Sequence, residues 1–307
     1  MARLNIRGER WELTRNDREY PEGLLSLEEP PTVLYGTGSQ KVLADLGLGI
    51  IGARKATPYG LAASSMAGRI AAESDITVVS GGALGCDSAA ARAALDAGGK
   101  TIVVSGVGAD LIYPRSSEDV FYRAIDGGGA VISVAPWGSE PQPWSFPKRN
   151  PIIAALSHAV LVAEAGSRSG TMSTATAAFE MGREVYAVPG SIFSPESQGA
   201  NSLIRDGAHI IACEQDLEML ISRDFGVLRM VMERPASARG RVLSALFAMP
   251  MRADDLAHSL GETPLDIMRK LADLEVRGCV MRLPDGRYAP TKEVLEDGGI
   301  IGGPVDL

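Results

Sequence analysis

The segment ITVVSGGALGCDSAAARAALDAGGKTIVVSG, residues 76–106, decides the fold. Its two ends are short apolar runs rich in valine and isoleucine, and an alanine-rich stretch separates them. Runs that are apolar throughout, rather than alternating with polar residues, are typical of strands buried on both faces of a parallel sheet. The segment therefore predicts a strand, a crossover helix and a second strand parallel to the first.

The same alternation extends in both directions along the chain. Alanine-rich segments such as 57–73 and 170–184 separate the apolar runs, which are residues 48–53, 76–80, 101–106, 130–134, 159–165 and 184–189. Thr57 and Pro58 begin the first of these segments, and they are a favourable N-cap and first helical residue. Because right-handed crossovers place helices on both faces, we expect an extended Rossmann-like α/β domain with a doubly wound parallel sheet.

The C-terminal part follows another pattern. Three short segments each carry leucine or isoleucine at helical spacing, and residues 279–290, CVMRLPDGRYAP, read as two β runs around an Asp-Gly turn. Three short helices and a hairpin predict a small winged-helix domain. We therefore expect five regions, namely an N-terminal extension (1–18), the Rossmann-like domain (19–222), a linker (223–240), the winged-helix-like domain (241–290) and a flexible tail (291–307).

Composition limits the kind of protein. The 307 residues include 30 basic and 38 acidic side chains, so the net charge is −8 and any nucleic-acid contact needs a local basic patch. The three cysteines form no CxxC pair, which argues against structural zinc or disulfides and suits a reducing cytosol. The N-terminus has no signal-peptide pattern, and no apolar run approaches the ~18 residues of a membrane helix. We expect a cytoplasmic protein without a metal.

The segments that follow the strands carry the candidate chemistry. Those after the second and fifth apolar runs, SGGALGCD (80–87) and EAGSRSGT (164–171), are typical in containing glycine next to a helix start. Ligands bind beyond the carboxyl ends of such strands, and helix N-termini favour phosphate. Neither GxGxxG nor GxxxxGK[ST] occurs, so we expect a phosphate-binding edge without a nucleotide cofactor.

Three segments carry a resemblance to a known family. Residues 78–114, 146–191 and 199–208, which include SGGALGCD, FPKRN and GANSLIRDGA, look like the DNA-processing protein A (DprA/Smf) family. The resemblance covers about residues 19–222. It implies a non-enzymatic protein that binds single-stranded DNA, usually as a dimer, and loads the RecA recombinase in natural transformation.

The resemblance also implies the binding residues. Arginine and lysine side chains would neutralise phosphates, backbone amides of the glycines would bind others, and Phe146 would stack on an unpaired base. Lys100 matches a basic position of the family. The implied residues are Gly52, Arg54, Ser80, Gly81, Gly82, Lys100, Phe146, Lys148, Arg149, Asn150, Arg168, Ser169, Gly170 and Thr171.

Several of these side chains also have structural interpretations. Phe146, between prolines, is about as well suited to wedge its loop against the sheet as to stack on a base. Asn150 is suited to cap a helix that starts at Pro151. Trp137 and Trp144 fit loop packing better than base stacking.

Two other functions remain open. Glu164 ends a strand, so a nucleotide-metabolising enzyme of the nucleoside-monophosphate phosphoribohydrolase type is an alternative. Such enzymes carry a PGGxGT-type loop followed by a glutamate, whereas this chain has EAGSRSGT. A sensor of small nucleotides is the third interpretation.

The sequence departs from the family pattern at several positions. Leu84 stands at a usual arginine, Ala91 at a histidine, Pro151 at an arginine and Val134 at a glutamate. Each lost phosphate contact weakens binding and lowers the salt slope by about 0.7 for a single strand. In residues 264–277, the expected recognition helix, acidic side chains offset the basic ones, which favours a protein contact over duplex reading.

Overall fold

The computed structural model describes residues 6–227 and 240–296, which form two compact units. Residues 297–307 of the predicted tail and most of the predicted linker lie outside these residues. Each unit is described by itself below.

The first unit is built on a nine-stranded sheet. Its strands are Arg10–Thr14 (β1), Val33–Gly38 (β2), Gly47–Ile51 (β3), Thr77–Ser80 (β4), Thr101–Val104 (β5), Ala130–Ser133 (β6), Ala159–Val162 (β7), Glu184–Ala187 (β8) and His209–Ile210 (β9). The order across the sheet is β1-β2-β6-β5-β4-β3-β7-β8-β9. Strands β3 to β9 are parallel, while β1 and β2 add an antiparallel edge beside β6. The six apolar runs are β3 to β8, which confirms the predicted parallel sheet.

The antiparallel edge is absent from the sequence prediction. In β1, RWELT, only Leu13 is buried, so this strand does not read as an apolar run. It pairs with β2, where a Cβ on Gly36 would lie 2.1 Å from the ring of Trp11. The sheet therefore begins before residue 19, where the sequence places the start of the domain.

Helices cover both faces of the sheet. They are Glu22–Leu25 (α1), Pro58–Glu73 (α2), Cys86–Asp96 (α3), Glu118–Asp126 (α4), Ser145–Ala155 (α5), Thr171–Glu180 (α6), Gln198–Arg205 (α7) and Glu214–Phe225 (α8). Successive strand residues belong to different cores, since Val79 packs in one cluster and Val78 in another. The N-cap of α2 is confirmed, because Thr57 Oγ1 accepts the N–H of Gly60 at 3.2 Å.

The strand order reverses between β3 and β7. From β3 the chain proceeds outward through β4, β5 and β6, and it then returns to place β7 on the other side of β3. The segments that leave β3 and β7 consequently diverge at the carboxyl edge of the sheet. In open α/β sheets this reversal opens a crevice for ligands.

The second unit has the predicted winged-helix elements. They are Arg241–Ala248 (α9), Ala253–Leu260 (α10), Pro264–Val276 (α11), Val280–Arg282 (β10) and Tyr288–Pro290 (β11). A further helix, Lys292–Glu296 (α12), lies in the range that the sequence assigns to a flexible tail, so the start of that tail is helical instead. The strands pair antiparallel, and Gly286 adopts a φ of +86° in the Asp-Gly turn between them. On α11, Leu265 and Val276 are exposed to solvent. The contact of this helix with another protein stays a prediction.

Candidate nucleic-acid interface

A cleft of about 880 Å³ opens at the reversal point of the sheet. Its walls are residues 51–55 at the end of β3, residues 166–171 after β7, part of the segment 143–153 at α5, Ala83 and Asp87 after β4, and residues of the loop after β8. The cleft thus joins five segments that are distant in sequence, as the order of the strands requires.

Nine of the fourteen implied binding residues line this cleft. They are Gly52, Arg54, Phe146, Arg149, Asn150, Arg168, Ser169, Gly170 and Thr171. Lys55, Asp87 and Gln198 also line it, although the sequence reasoning did not select them. Lys55 follows Arg54 directly in GARKAT, so the sequence did hold a signal for it.

Positive charge is concentrated here. Four cationic side chains line the cleft, against the acidic Asp87 and Glu196. The cations are Arg54, Lys55, Arg149 and Arg168. Lys148 is exposed on the adjoining helix α5 but is not part of the wall. A chain with a net charge of −8 therefore presents a local cationic surface at this edge.

Arg149 is the most deeply placed cation. It is only 4% exposed, and its Nε and Nη1 have no hydrogen-bond partner among the described residues. Burial lowers the pKa of Arg149, while the charge of the neighbouring Asp87 acts in the opposite direction. Burial also raises the pKa of Asp87, against the effects of Arg149 and of backbone amides. Unpaired N–H groups in a cleft wall can bind an anionic oxygen that enters it.

The Ser80–Gly82 segment has a supporting role. Ser80 Oγ donates to Ile50 O at 2.7 Å, and the N–H of Gly81 donates to Asp87 Oδ2 at 3.1 Å. A Cβ on Gly81 would lie 1.5 Å from Arg149 Nη1, so glycine leaves the space for that guanidinium. All three residues are buried and none lines the cleft, in contrast to the expected contact with phosphate.

Lys100 lies away from the cleft. It directly precedes β5 and therefore lies at the amino ends of the parallel strands, whereas the cleft lies at their carboxyl ends. Its Nζ pairs with Asp45 Oδ2 at 2.8 Å. This hydrogen bond raises the pKa of Lys100. The binding role that the resemblance implies for Lys100 does not agree with this position.

Phe146 is packed on more than one side. Its ring centroid is 5.5 Å from that of Tyr113, and a Cβ on Gly106 would lie 2.7 Å from the ring. The guanidinium of Arg54 lies over the ring at 5.2 Å, a cation–π contact. The side chain therefore wedges the loop and positions Arg54 at the same time.

Asn150 joins two helices instead of capping one. It lies inside α5, which begins at Ser145, so the expected helix start at Pro151 is wrong. Asn150 Nδ2 donates to Gly170 O at 3.1 Å and to Ser173 Oγ at 2.8 Å. It thereby fixes α5 to the start of α6.

The two tryptophans differ. Trp137 Nε1 donates to Glu12 at 2.6 Å and its ring meets Tyr35 edge-on, so its expected packing role agrees with the structure. Trp144, directly before α5, is 60% exposed, and the packing role expected for it is not observed. Its exposure beside the cleft wall makes it available for stacking.

Two groups suited to other chemistry, Glu164 and Cys86, are buried. Glu164 is 3% exposed and does not line the cleft, which separates its carboxyl group from a substrate bound there. Burial raises the pKa of Cys86 to about 12. Within residues 6–227 and 240–296, no group of three or more His, Cys, Asp or Glu side chains is arranged to hold a metal ion.

Comparison with known proteins identifies the family. The model of the family DNA recombination-mediator protein A matches residues 11–222, and that of the DprA winged helix domain matches residues 232–286. The chain belongs to the DNA recombination-mediator protein A family. The resemblance seen in the sequence is thereby confirmed.

Alignments with relatives cover most of the length of this chain. Protein Smf of Escherichia coli is 33% identical over 279 residues, which cover 87% of this chain and 74% of that protein. The X-ray structure of DNA processing protein A from Streptococcus pneumoniae has a TM-score of 0.62 and 36% identity, covering 67% of this chain and 72% of the other. The structure of DNA processing protein A from Helicobacter pylori, described for its mode of binding single-stranded DNA, has a TM-score of 0.65 and 31% identity, covering 72% of this chain and 99% of the other.

The four positions at which this sequence departs from the family pattern lie in different surroundings. Leu84 is 47% exposed and adjoins the cleft-lining Ala83, so a basic side chain there would add charge beside the cleft. Ala91 is fully buried on α3, and its replacement of a histidine removes no surface charge. Pro151 lies within α5, and Val134 packs against the core. In the part of the chain that the structure describes, no helix is long and apolar enough to span a bilayer.

Proposed function

We propose that this chain binds single-stranded DNA in the cleft and delivers the strand to the RecA recombinase without altering it chemically. The observation that carries the proposal is the concentration of four cationic side chains at the reversal point of an otherwise acidic molecule. The related Helicobacter pylori protein, described for its binding of single-stranded DNA, supports the choice of ligand. We further propose that the protein acts as a homodimer in the cytoplasm, where RecA works, during natural transformation or recombination.

The ligand is tested by a salt series. Fluorescence anisotropy with labelled oligothymidine and with a duplex of equal length is measured at low and high salt. We expect binding of the single strand at low salt that weakens linearly on a logarithmic scale as salt rises, because counterions are released from the phosphates. Absence of binding at low salt, or an affinity indifferent to salt, would contradict the proposal.

The mediator role is tested separately. RecA filament assembly on oligothymidine is followed with and without the chain, and we expect assembly to start faster in its presence.

In parallel, AMP is incubated with the chain and assayed for free base. We expect none, because Glu164 is buried away from the cleft. Release of base would favour the nucleotide-metabolising enzyme.

A further inference from the structure

The loop between β8 and α7 carries an exposed apolar tip. Ile192 is 77% exposed and Phe193 is 76% exposed. Three later residues of the same stretch, Pro195, Glu196 and Gln198, line the cleft. The tip is thus continuous with one wall of the candidate interface.

The backbone of this loop is held in place. The side chain of Asn201 accepts the N–H of Gly190 at 3.1 Å and donates to its carbonyl oxygen at 3.0 Å. Ser191 Oγ accepts the N–H of Phe193 at 3.3 Å. A Cβ on Gly190 would lie 2.1 Å from Ser197 Oγ, so the close approach of Gly190 to Ser197, directly before α7, requires glycine. The two apolar side chains are therefore presented to solvent by an anchored loop, and a ligand would find them preorganised.

The charge distribution indicates what would contact this tip. Residues 189–200, PGSIFSPESQGA, contain no lysine or arginine and one glutamate. The cations of the cleft lie on the other walls, on the segments that follow β3 and β7 and on α5. Phosphates of a bound strand are attracted to those walls, so the side facing the loop meets the uncharged parts of the nucleotides. An exposed aromatic ring fits the face of an unpaired base, which stacks on it without regard to sequence.

We propose that Phe193, with Ile192 beside it, is a stacking surface for an unpaired nucleobase of the strand in the cleft. This inference rests on the proposed binding of single-stranded DNA and adds the orientation of the strand. The bases face the loop after β8, and the phosphates face Arg54 and Arg168.

The test compares a strand with bases and a strand without them. The full chain and its Phe193→Ala variant are titrated with labelled oligothymidine and with an abasic strand of the same length and charge. We expect the variant to bind oligothymidine at least about fivefold more weakly, since stacking on an aromatic side chain stabilises by that much or more. Affinity for the abasic strand and the salt slope stay unchanged, because no phosphate contact is lost. Phe193→Tyr keeps the affinity of the parent chain.

Phe179→Ala is the matched control. Phe179 is 38% exposed in the last turn of α6, whereas the first residue of that helix lines the cleft. The control variant should bind oligothymidine like the parent chain.

Each outcome separates the two proposals. If the parent chain does not bind oligothymidine, the proposed function fails and this inference fails with it. If the parent binds and Phe193→Ala binds equally well, the inference alone is overturned. Equal binding together with a changed molar mass in light scattering would assign the tip to a protein contact, which also overturns it.

Discussion

Single residues on the two edges of the sheet have different roles. Arg54 follows β3 and lies in the cleft wall, whereas Lys100 precedes β5 and pairs with Asp45 at the other edge. The position of Lys100 before a strand already indicates the amino edge, and only the family resemblance implied a binding role for it. The direction of the chain at Lys100 thus favours a position away from the cleft.

Replacing Arg54 therefore has a specific effect. We expect Arg54→Ala to lower the affinity for single-stranded DNA several-fold and the salt slope by about 0.7, because one phosphate contact is lost. Its melting temperature should barely move, since the side chain is exposed. Lys100→Ala also removes one positive charge, at the amino ends of the strands, and should leave the affinity unchanged. Equal losses in both variants, measured by anisotropy, would contradict this assignment.

The three cysteines should differ in reactivity. Cys213 is exposed, whereas Cys86 and Cys279 are buried. Burial raises the pKa of Cys86 from an ordinary value of 9.0 to about 12, so near neutral pH almost none of it is the reactive thiolate. We expect Ellman's reagent to modify one thiol rapidly in the folded chain and all three in denaturant.

A Cys213→Ser variant is the control for this assay. It should leave no rapidly reacting thiol in the folded chain. Rapid modification of Cys86, located by mass spectrometry, would show that the start of α3 opens more readily than the structure indicates.

At the scale of elements, burial decides which strands can be predicted from the sequence. Strands β3 to β7 are buried along their whole length and were predictable as continuous apolar runs. Strand β1 has one buried residue, so its place in the sheet depends on pairing with β2 and not on its own pattern. The start of α5 was missed because Pro151 suggests a first helical position, whereas the helix begins at Ser145 and contains this proline.

The same limit applies to the site. The glycine-containing segment 164–171 was enough to place Arg168 at the carboxyl edge, whereas Gly52 and Arg54 were implied by the family resemblance. The electrostatic effect of Arg149 on Asp87, and the space that Gly81 leaves for the guanidinium, depend on elements far apart in the chain. Spacing along the sequence carries no signal for such contacts.

The link between α5 and α6 is open to a direct test. Asn150→Ala removes the hydrogen bonds to Gly170 and Ser173, and we expect it to lower the free energy of unfolding by about 1–2 kcal/mol. Urea denaturation measures this change. Asn16→Ala, at an exposed turn residue after β1, should lie within about 0.5 kcal/mol of the parent chain. An unchanged stability of Asn150→Ala would show that packing alone holds the two helices together.

At the scale of the whole molecule, charge is distributed unevenly. The chain carries a net charge of −8, yet four cations line one cleft. General acidity limits non-specific attraction to nucleic acid, while the cationic cleft attracts phosphate locally. Our central claim is that a single strand lies at the reversal point of the sheet.

Photo-crosslinking with an oligothymidine that contains 4-thiothymidine tests this claim most directly. After irradiation and digestion, mass spectrometry locates the residues joined to the strand. We predict adducts in the loop after β8 that faces the bases, residues 192–198, and in the other segments that form the cleft, 52–55, 143–150 and 166–171. Adducts confined to the winged-helix unit, or to the amino edge of the sheet near Lys100, would contradict the account.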